Sequence, residues 1–187
     1  MTSPYPFRHS GPVLVCGSAW CLHDDYARAR EIFPDAPVIA VNGAAGEVPS
    51  RFLFSQHPLS LPRWIGQQRE RFGSTLEVHA AGERHRRNRL GKRPNCPWVD
   101  YWWDGIASGG TSAGGARRLA KALGFAPVIL CGAPLDPGPY AYRDISKLNM
   151  KLSVMRRYRS AVEADVAHHE GAYSMSGWTR QLLKEPC

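Results

Sequence analysis

The sequence predicts an α/β protein built on an open, mainly parallel sheet with helices on both faces. Three observations carry this expectation. Pro12-Val-Leu-Val-Cys-Gly17, Pro37-Val-Ile-Ala-Val-Asn42 and Val128-Ile-Leu-Cys131 are short, unbroken apolar runs, the pattern of strands covered on both faces. Segments with helical spacing separate such runs. Each run also ends on glycine, asparagine or a polar corner, so a loop follows every carboxyl end.

Taken in order, residues 1–11 form an irregular lead-in, because Pro4, Pro6 and Gly11 oppose regular structure. The first strand follows, with Gly17-Ser18-Ala19-Trp20 as its turn. A helix from about Asp24 to Phe33 places Tyr26, Ala29 and Phe33 inward. The second strand ends on Asn42. Arg51-Phe-Leu-Phe-Ser55 is a third strand and turns at Gln56-His57-Pro58. A helix over Leu61 to Phe72 buries Trp64, Ile65 and Phe72, and Thr75 to Ala80 is a fourth short strand. Residues 81–97 are basic, polar and broken by glycine and proline, which marks an excursion from the fold. Trp98-Val-Asp-Tyr-Trp-Trp103 reads as another strand, its aromatics serving packing or, alternatively, stacking on a base or sugar. A long helix over Leu148 to Ala167, then His168-His169, and a short helix over Gly177 to Lys184 complete the chain.

Length and composition bound the answer. At 187 residues the chain is expected to be a single domain, residues 1–187, with the basic excursion at about 81–97. It is 43% hydrophobic and 21% charged, as soluble globular proteins are. No apolar run is long enough to cross a bilayer, and the N-terminus lacks a signal-type apolar segment, so a cytoplasmic location is expected. The five cysteines form no Cys-x-x-Cys pair, which argues against structural zinc, and no cofactor is expected. The net charge of +8 is local: Arg84, Arg86, Arg87, Arg89, Lys92 and Arg93 carry six of those charges with no acid between them. This run is either a solvated loop, a lid over phosphate, or a contact for nucleic acid.

The densest stretch is Ser108 to Asp136: a glycine-rich loop, a helix, a glycine stop at Gly124, a buried strand and a second loop. Gly109 and Gly110 permit a tight turn, and Thr111 or Ser112 caps the helix that follows. A helix start with bare amides and two hydroxyls suits an anion. In parallel sheets ligands sit beyond the carboxyl ends of the strands, near the reversal of strand order. The loops at Gly17-Ser18, Asn42, Gln56-His57-Pro58 and Gly110-Thr111-Ser112 are therefore the places to look. The first lacks the Gly-x-Gly-x-x-Gly fingerprint, and Gly-Gly-Thr-Ser is followed by no Gly-Lys-Ser/Thr, which argues against ordinary NAD enzymes and P-loop NTPases.

Strand-Gly17-Ser18, strand-Asn42, and Gly-Gly-Thr-Ser-Ala followed by helix, Leu-Gly-Phe, strand and Gly132 resemble the Rossmann-like bacterial sialyltransferases. The same pattern is similar to the related hydroxymethylpterin pyrophosphokinase-like proteins. The ending Tyr173-Ser-Met-Ser-Gly-Trp-Thr-Arg-Gln-Leu-Leu is similar to phage and prophage members of that group. The resemblance covers residues 12–136 loosely, with 108–136 its specific part. It implies a nucleotide- or nucleotide-sugar-binding transferase using a CMP-type donor. Gly17 and Ser18 would lie near phosphate or ribose, Asn42 near sugar or nucleotide, and Gly110, Thr111, Ser112, Gly132 and Asp136 would complete the nucleotide site. His57 stands where the family has an asparagine. Two departures are visible: the family's Gly-Asn-Gly-Pro-Ser turn is Gly17-Ser18-Ala19-Trp20, and its Gly-x-Asp is Gly132-Ala-Pro-Leu-Asp136.

Glycosyl transfer needs a base for the acceptor hydroxyl and stabilisation of the leaving phosphate. His57 and His168, with His169 beside it, are the base candidates; amides at Gly110–Ser112 and an arginine of the 84–93 run are the stabilisers. Asp100, Asp104, Asp136 and Asp144 form no Asp-x-Asp pair, so no metal site is expected. A non-catalytic polyanion- or nucleic-acid-binding protein using Arg84–Arg93 is the alternative from another class, and a magnesium-dependent pyrophosphoryl transferase is the third.

Overall fold

The computed structural model describes residues 5–73, 75–81, 95–106, 110–141 and 152–187. The arginine run at 84–93, Ser108-Gly109 and the first residues of the helix expected from Leu148 lie outside them. Among the described residues, strands β1 (Val13–Cys16), β2 (Val38–Val41), β3 (Phe52–Ser55), β4 (Glu77–Ala81), β5 (Tyr101–Trp103), β6 (Val128–Cys131) and β7 (Ala172–Ser174) make one sheet. Its order is β5-β4-β3-β2-β1-β6-β7 and every pairing is parallel. The chain builds outward from β1 to β5, then crosses back over the sheet to place β6 on the other side of β1. The reversal of strand order falls between β1 and β6.

Among the described residues five helices flank the sheet: α1 (Leu22–Ile32), α2 (Leu61–Phe72), α3 (Ser112–Ala122), α4 (Leu152–Glu163) and α5 (Gly177–Leu183). Because side chains alternate along a strand, one face carries Val13, Val15, Ile39, Val41, Phe52 and Phe54. Ala116, Leu119, Ala120 and Leu123 of α3 close over them. Leu14, Cys16, Val38, Ala40 and Leu53 point the other way, against Leu22 and Ala29 of α1 and Leu61 of α2. This is the open α/β, Rossmann-like arrangement that the apolar runs predict.

The differences have local causes. β7 is a strand that the apolar pattern does not announce, because Ala172-Tyr-Ser174 is three residues long with a polar end, and pairing with β6 defines it. Helix α2 keeps its expected bounds, but Gln68 is buried while Phe72 remains exposed. Of the Trp98–Trp103 aromatics, Trp103 is buried and donates to His79 Nδ1 at 3.1 Å, and Trp98 donates to the Pro58 carbonyl at 2.9 Å. The packing alternative describes these rings.

Candidate functional site at the carboxyl ends of the strands

Three corners line the carboxyl edge. At the reversal point, Gly17 and Gly132 meet backbone to backbone. A β-carbon on Gly17 would stand 2.5 Å from the Gly132 oxygen, and one on Gly132 would stand 2.5 Å from the Gly17 oxygen. Gly132 also has φ +62°, a left-handed conformation that glycine adopts without a penalty. Its amide donates at 2.9 Å to Asp25 Oδ2, which also accepts from Ser176 Oγ at 2.6 Å. Beyond the strands the two turns continue to pair: Ala19 N donates to Gly132 O at 3.0 Å, Trp20 N to Pro139 O at 3.1 Å, and Ala141 N to Ser18 O at 2.9 Å. Both glycines are thus committed to closing the sheet at this point. Asp25, in the first turn of α1, is buried and holds that closure.

The second corner joins β1, β2 and β3. Ser18 Oγ donates to the Val41 carbonyl at 3.3 Å. Asn42 lies in the left-handed region at φ +55°, and its Oδ1 accepts from Ser55 Oγ at 2.8 Å. The His57 amide donates to the same Ser55 oxygen at 2.7 Å. Asn42 is half-buried here and the His57 side chain is exposed. Ser55 is the link that the sequence reading lacks; its only signal is a hydroxyl at the last position of an apolar strand.

The third corner is the start of α3. Thr111 is the cap: its backbone is extended and its Oγ1 accepts from Gly114 N at 2.9 Å. Gly115 N bonds to the Thr111 carbonyl at 2.9 Å, so Ser112 and Ala113 are the amides left without a helical acceptor. Gly115 touches the end of β3, since a β-carbon there would meet Gln56 Nε2 at 2.8 Å and the Phe54 ring at 3.0 Å. The helix therefore begins on the corner that holds Asn42 and His57. Gly110, at φ +73°, is covered from the other side by α4; its β-carbon would lie 2.4 Å from the Ala161 methyl. The glycine of this loop thus seats a helix as well as turning the chain.

Asp136 and His168 sit elsewhere. Asp136 Oδ1 pairs with Arg159 Nη2 at 2.5 Å, and Oδ2 accepts from Trp178 N at 3.0 Å, at the beginning of α5. The Arg159 guanidinium lies over the Trp178 ring, 5.2 Å from its centroid. His168 Nδ1 is 2.7 Å from Asp165 Oδ1. Asp165 also receives Arg117 Nη2 at 2.7 Å and Arg118 Nη2 at 2.6 Å. Arg117 lies five residues into α3, about 7 Å along the helix from Ser112 at 1.5 Å per residue. His168 thus belongs to an ion cluster on the flank of α3, and His169 contacts the Val162 carbonyl. Burial pushes the Asp165 carboxyl up, but the hydrogen bonds from Arg118 and Arg117 outweigh it and bring its pKa down to about 2.

Burial pushes the Cys21 thiol up to about 12, and Cys131 is raised by its hydrogen bond with Cys16 and by burial, so both favour the protonated thiol. Among the described residues no group of three or more His, Cys, Asp or Glu side chains could hold a metal ion. None of the described helices is long and apolar enough to cross a membrane. A pocket of about 590 Å³ does exist, but Arg51, Glu77 and Tyr101 line it, at the amino ends of β3, β4 and β5. It lies at the opposite end of the sheet from the three corners.

No protein-family model and no curated protein matches the chain. Among solved structures it is similar to the MAf glycosyltransferase from Magnetospirillum magneticum AMB-1, with a TM-score of 0.55 and 18% identity. The match covers 94% of this chain and 33% of that one, so the chain spans about a third of its neighbour's length. The shared fold is that of a Rossmann-like domain found in a glycosyltransferase.

Proposed function

We propose that the chain binds a nucleotide or nucleotide-sugar across the Asn42, His57 and Ser112 corners and transfers a glycosyl group from it. The observation that carries this reading is the seating of Gly115 on Phe54 and Gln56. It brings the Ser112 and Ala113 amides, which have no helical acceptor, and the Ser112 hydroxyl to the carboxyl ends of β2 and β3, on the edge of a parallel sheet where ligands bind. The fold shared with a glycosyltransferase supports the same class of chemistry. In the transfer, His57 takes the proton from an acceptor hydroxyl whose oxygen forms the new bond at the anomeric carbon. The bond from that carbon to the phosphate oxygen breaks, and the nucleotide leaves with its new charge facing the Ser112 and Ala113 amides. A CMP-type donor is the one that the family resemblance suggests. The assignment of residues 1–187 to a single domain belongs to the same proposal.

A thermal-shift series with CMP, CDP, UDP and ATP, with and without magnesium, tests it. Stabilisation by a cytidine nucleotide without magnesium is the expected result. Stabilisation only by ATP with magnesium would indicate pyrophosphoryl transfer, and no stabilisation by any nucleotide would overturn the reading.

A further inference from the structure

We propose that Trp20 is the acceptor platform of this site, its indole face receiving the C–H face of a pyranose ring. The inference rests on the nucleotide-sugar reading above. Trp20 is 49% exposed, whereas Trp103 is buried and Trp64, Trp98 and Trp102 pack against the core. Trp178 is covered in part by the Arg159 guanidinium. An exposed aromatic ring is ordinary when it is loose; this one is fixed. Its amide donates to Pro139, its neighbour Ala19 bridges to Tyr140, and a β-carbon on Gly138 would stand 2.1 Å from its Cδ1. The indole therefore rests on the bare α-carbon of Gly138 and has little rotamer freedom to lose when a ligand arrives.

Position decides which ring it meets. Ser18 reaches from the turn after β1 toward β2, while Trp20, two residues on, is tied to the loop after β6. The amides of α3 begin over β3. The platform is thus about two strand spacings, on the order of 10 Å, from the Asn42–His57 corner. A ring stacked on Trp20 would therefore belong to a part of the acceptor remote from the hydroxyl whose proton His57 takes. Its own amide is already bonded to the Pro139 carbonyl, and the indole lies against Gly138. A pyranose presents an apolar C–H face to such a ring and directs its hydroxyls outward to water.

The probe is a printed array of hexopyranoside glycans, with the native chain, Trp20→Ala and Trp20→Phe compared. Nucleotide thermal shifts are measured on the same samples. The expected result is a set of glycans retained by the native chain, at least about tenfold weaker for Trp20→Ala and largely kept by Trp20→Phe, with nucleotide shifts unchanged. Equal retention by Trp20→Ala, or no glycan retained by the native chain, overturns the platform. Nucleotide shifts that fall in Trp20→Ala also overturn it, by making the ring a base-stacking residue. Absence of nucleotide shifts in all three proteins indicts the nucleotide-sugar reading instead, independently of the glycan result.

Discussion

Gly17 and Gly132 lie so close at the carboxyl ends of β1 and β6 that neither has room for a β-carbon beside the other's carbonyl oxygen. The contact converts the point where strand order reverses from an open crevice into a sealed seam. Gly132→Ala combines a positive φ with contacts at 2.5 Å to Gly17 and 2.8 Å to the Leu22 β-carbon. It is expected to cost about 2–4 kcal/mol in urea unfolding, the sum of left-handed strain and overpacking. A loss below about 0.5 kcal/mol would mean that the seam relaxes freely.

The Asp165 cluster makes the second prediction. Arg117 is 1% exposed, and among the described residues its Nε and Nη1 have no hydrogen-bond partner, so Asp165 is its main compensation. Asp165→Asn leaves that charge buried without an anion and should cost about 3–5 kcal/mol. The sign of the pH effect follows from the depressed carboxyl. Stability from this pair is fully present above the unfolded pKa near 4, and is lost as pH falls through about 2. The Asn variant should lack that acid-induced loss. An identical acid profile in both proteins would remove the pair as its source.

How much of this could be read in advance varies with the kind of interaction. The strands at Val13–Cys16, Val38–Val41 and Val128–Cys131 are legible because complete burial leaves an unbroken apolar signature. The helix over Leu61–Phe72 is legible by its period, although Gln68 and not Phe72 fills the inner position. The corner at Asn42 is legible as a polar residue ending a strand. Its bond to Ser55, the Asp25 support under Gly132 and the Arg159 hold on Asp136 are not, since each joins residues far apart in sequence. The choice between Thr111 and Ser112 as cap depends on one backbone angle, which composition does not encode.

His79 sets a third expectation. Trp103 donates to its Nδ1, so the proton sits on Nε2, which is buried without a partner among the described residues. Burial, helped by the charge on His9, lowers its pKa to about 3. The unfolded chain then binds one proton more than the folded one between about pH 6.5 and 3, and stability falls as pH falls through that window. His79→Gln removes this titration while offering Trp103 another acceptor. Between pH 6.5 and 5 the native chain should lose about 2 kcal/mol more than the variant in urea unfolding. Parallel losses would assign the acid sensitivity to other groups.

Thr111 and Ser112 separate structure from binding at the start of α3. Thr111 Oγ1 is occupied by the Gly114 amide, so Thr111→Ala should cost about 1 kcal/mol of stability through loss of the cap. Ser112 stands at the first helical position and does not cap, so Ser112→Ala should leave stability within about 0.5 kcal/mol. If the amides and hydroxyl there hold a phosphate, the same substitution removes one bond to a charged group and weakens nucleotide binding about tenfold. Calorimetric titration of both variants with the stabilising nucleotide distinguishes the roles. A Ser112→Ala protein that binds nucleotide as tightly as the native chain would place the phosphate elsewhere along the carboxyl edge, and the α3 start would then serve only to seat α4 through Gly110 and Ala161.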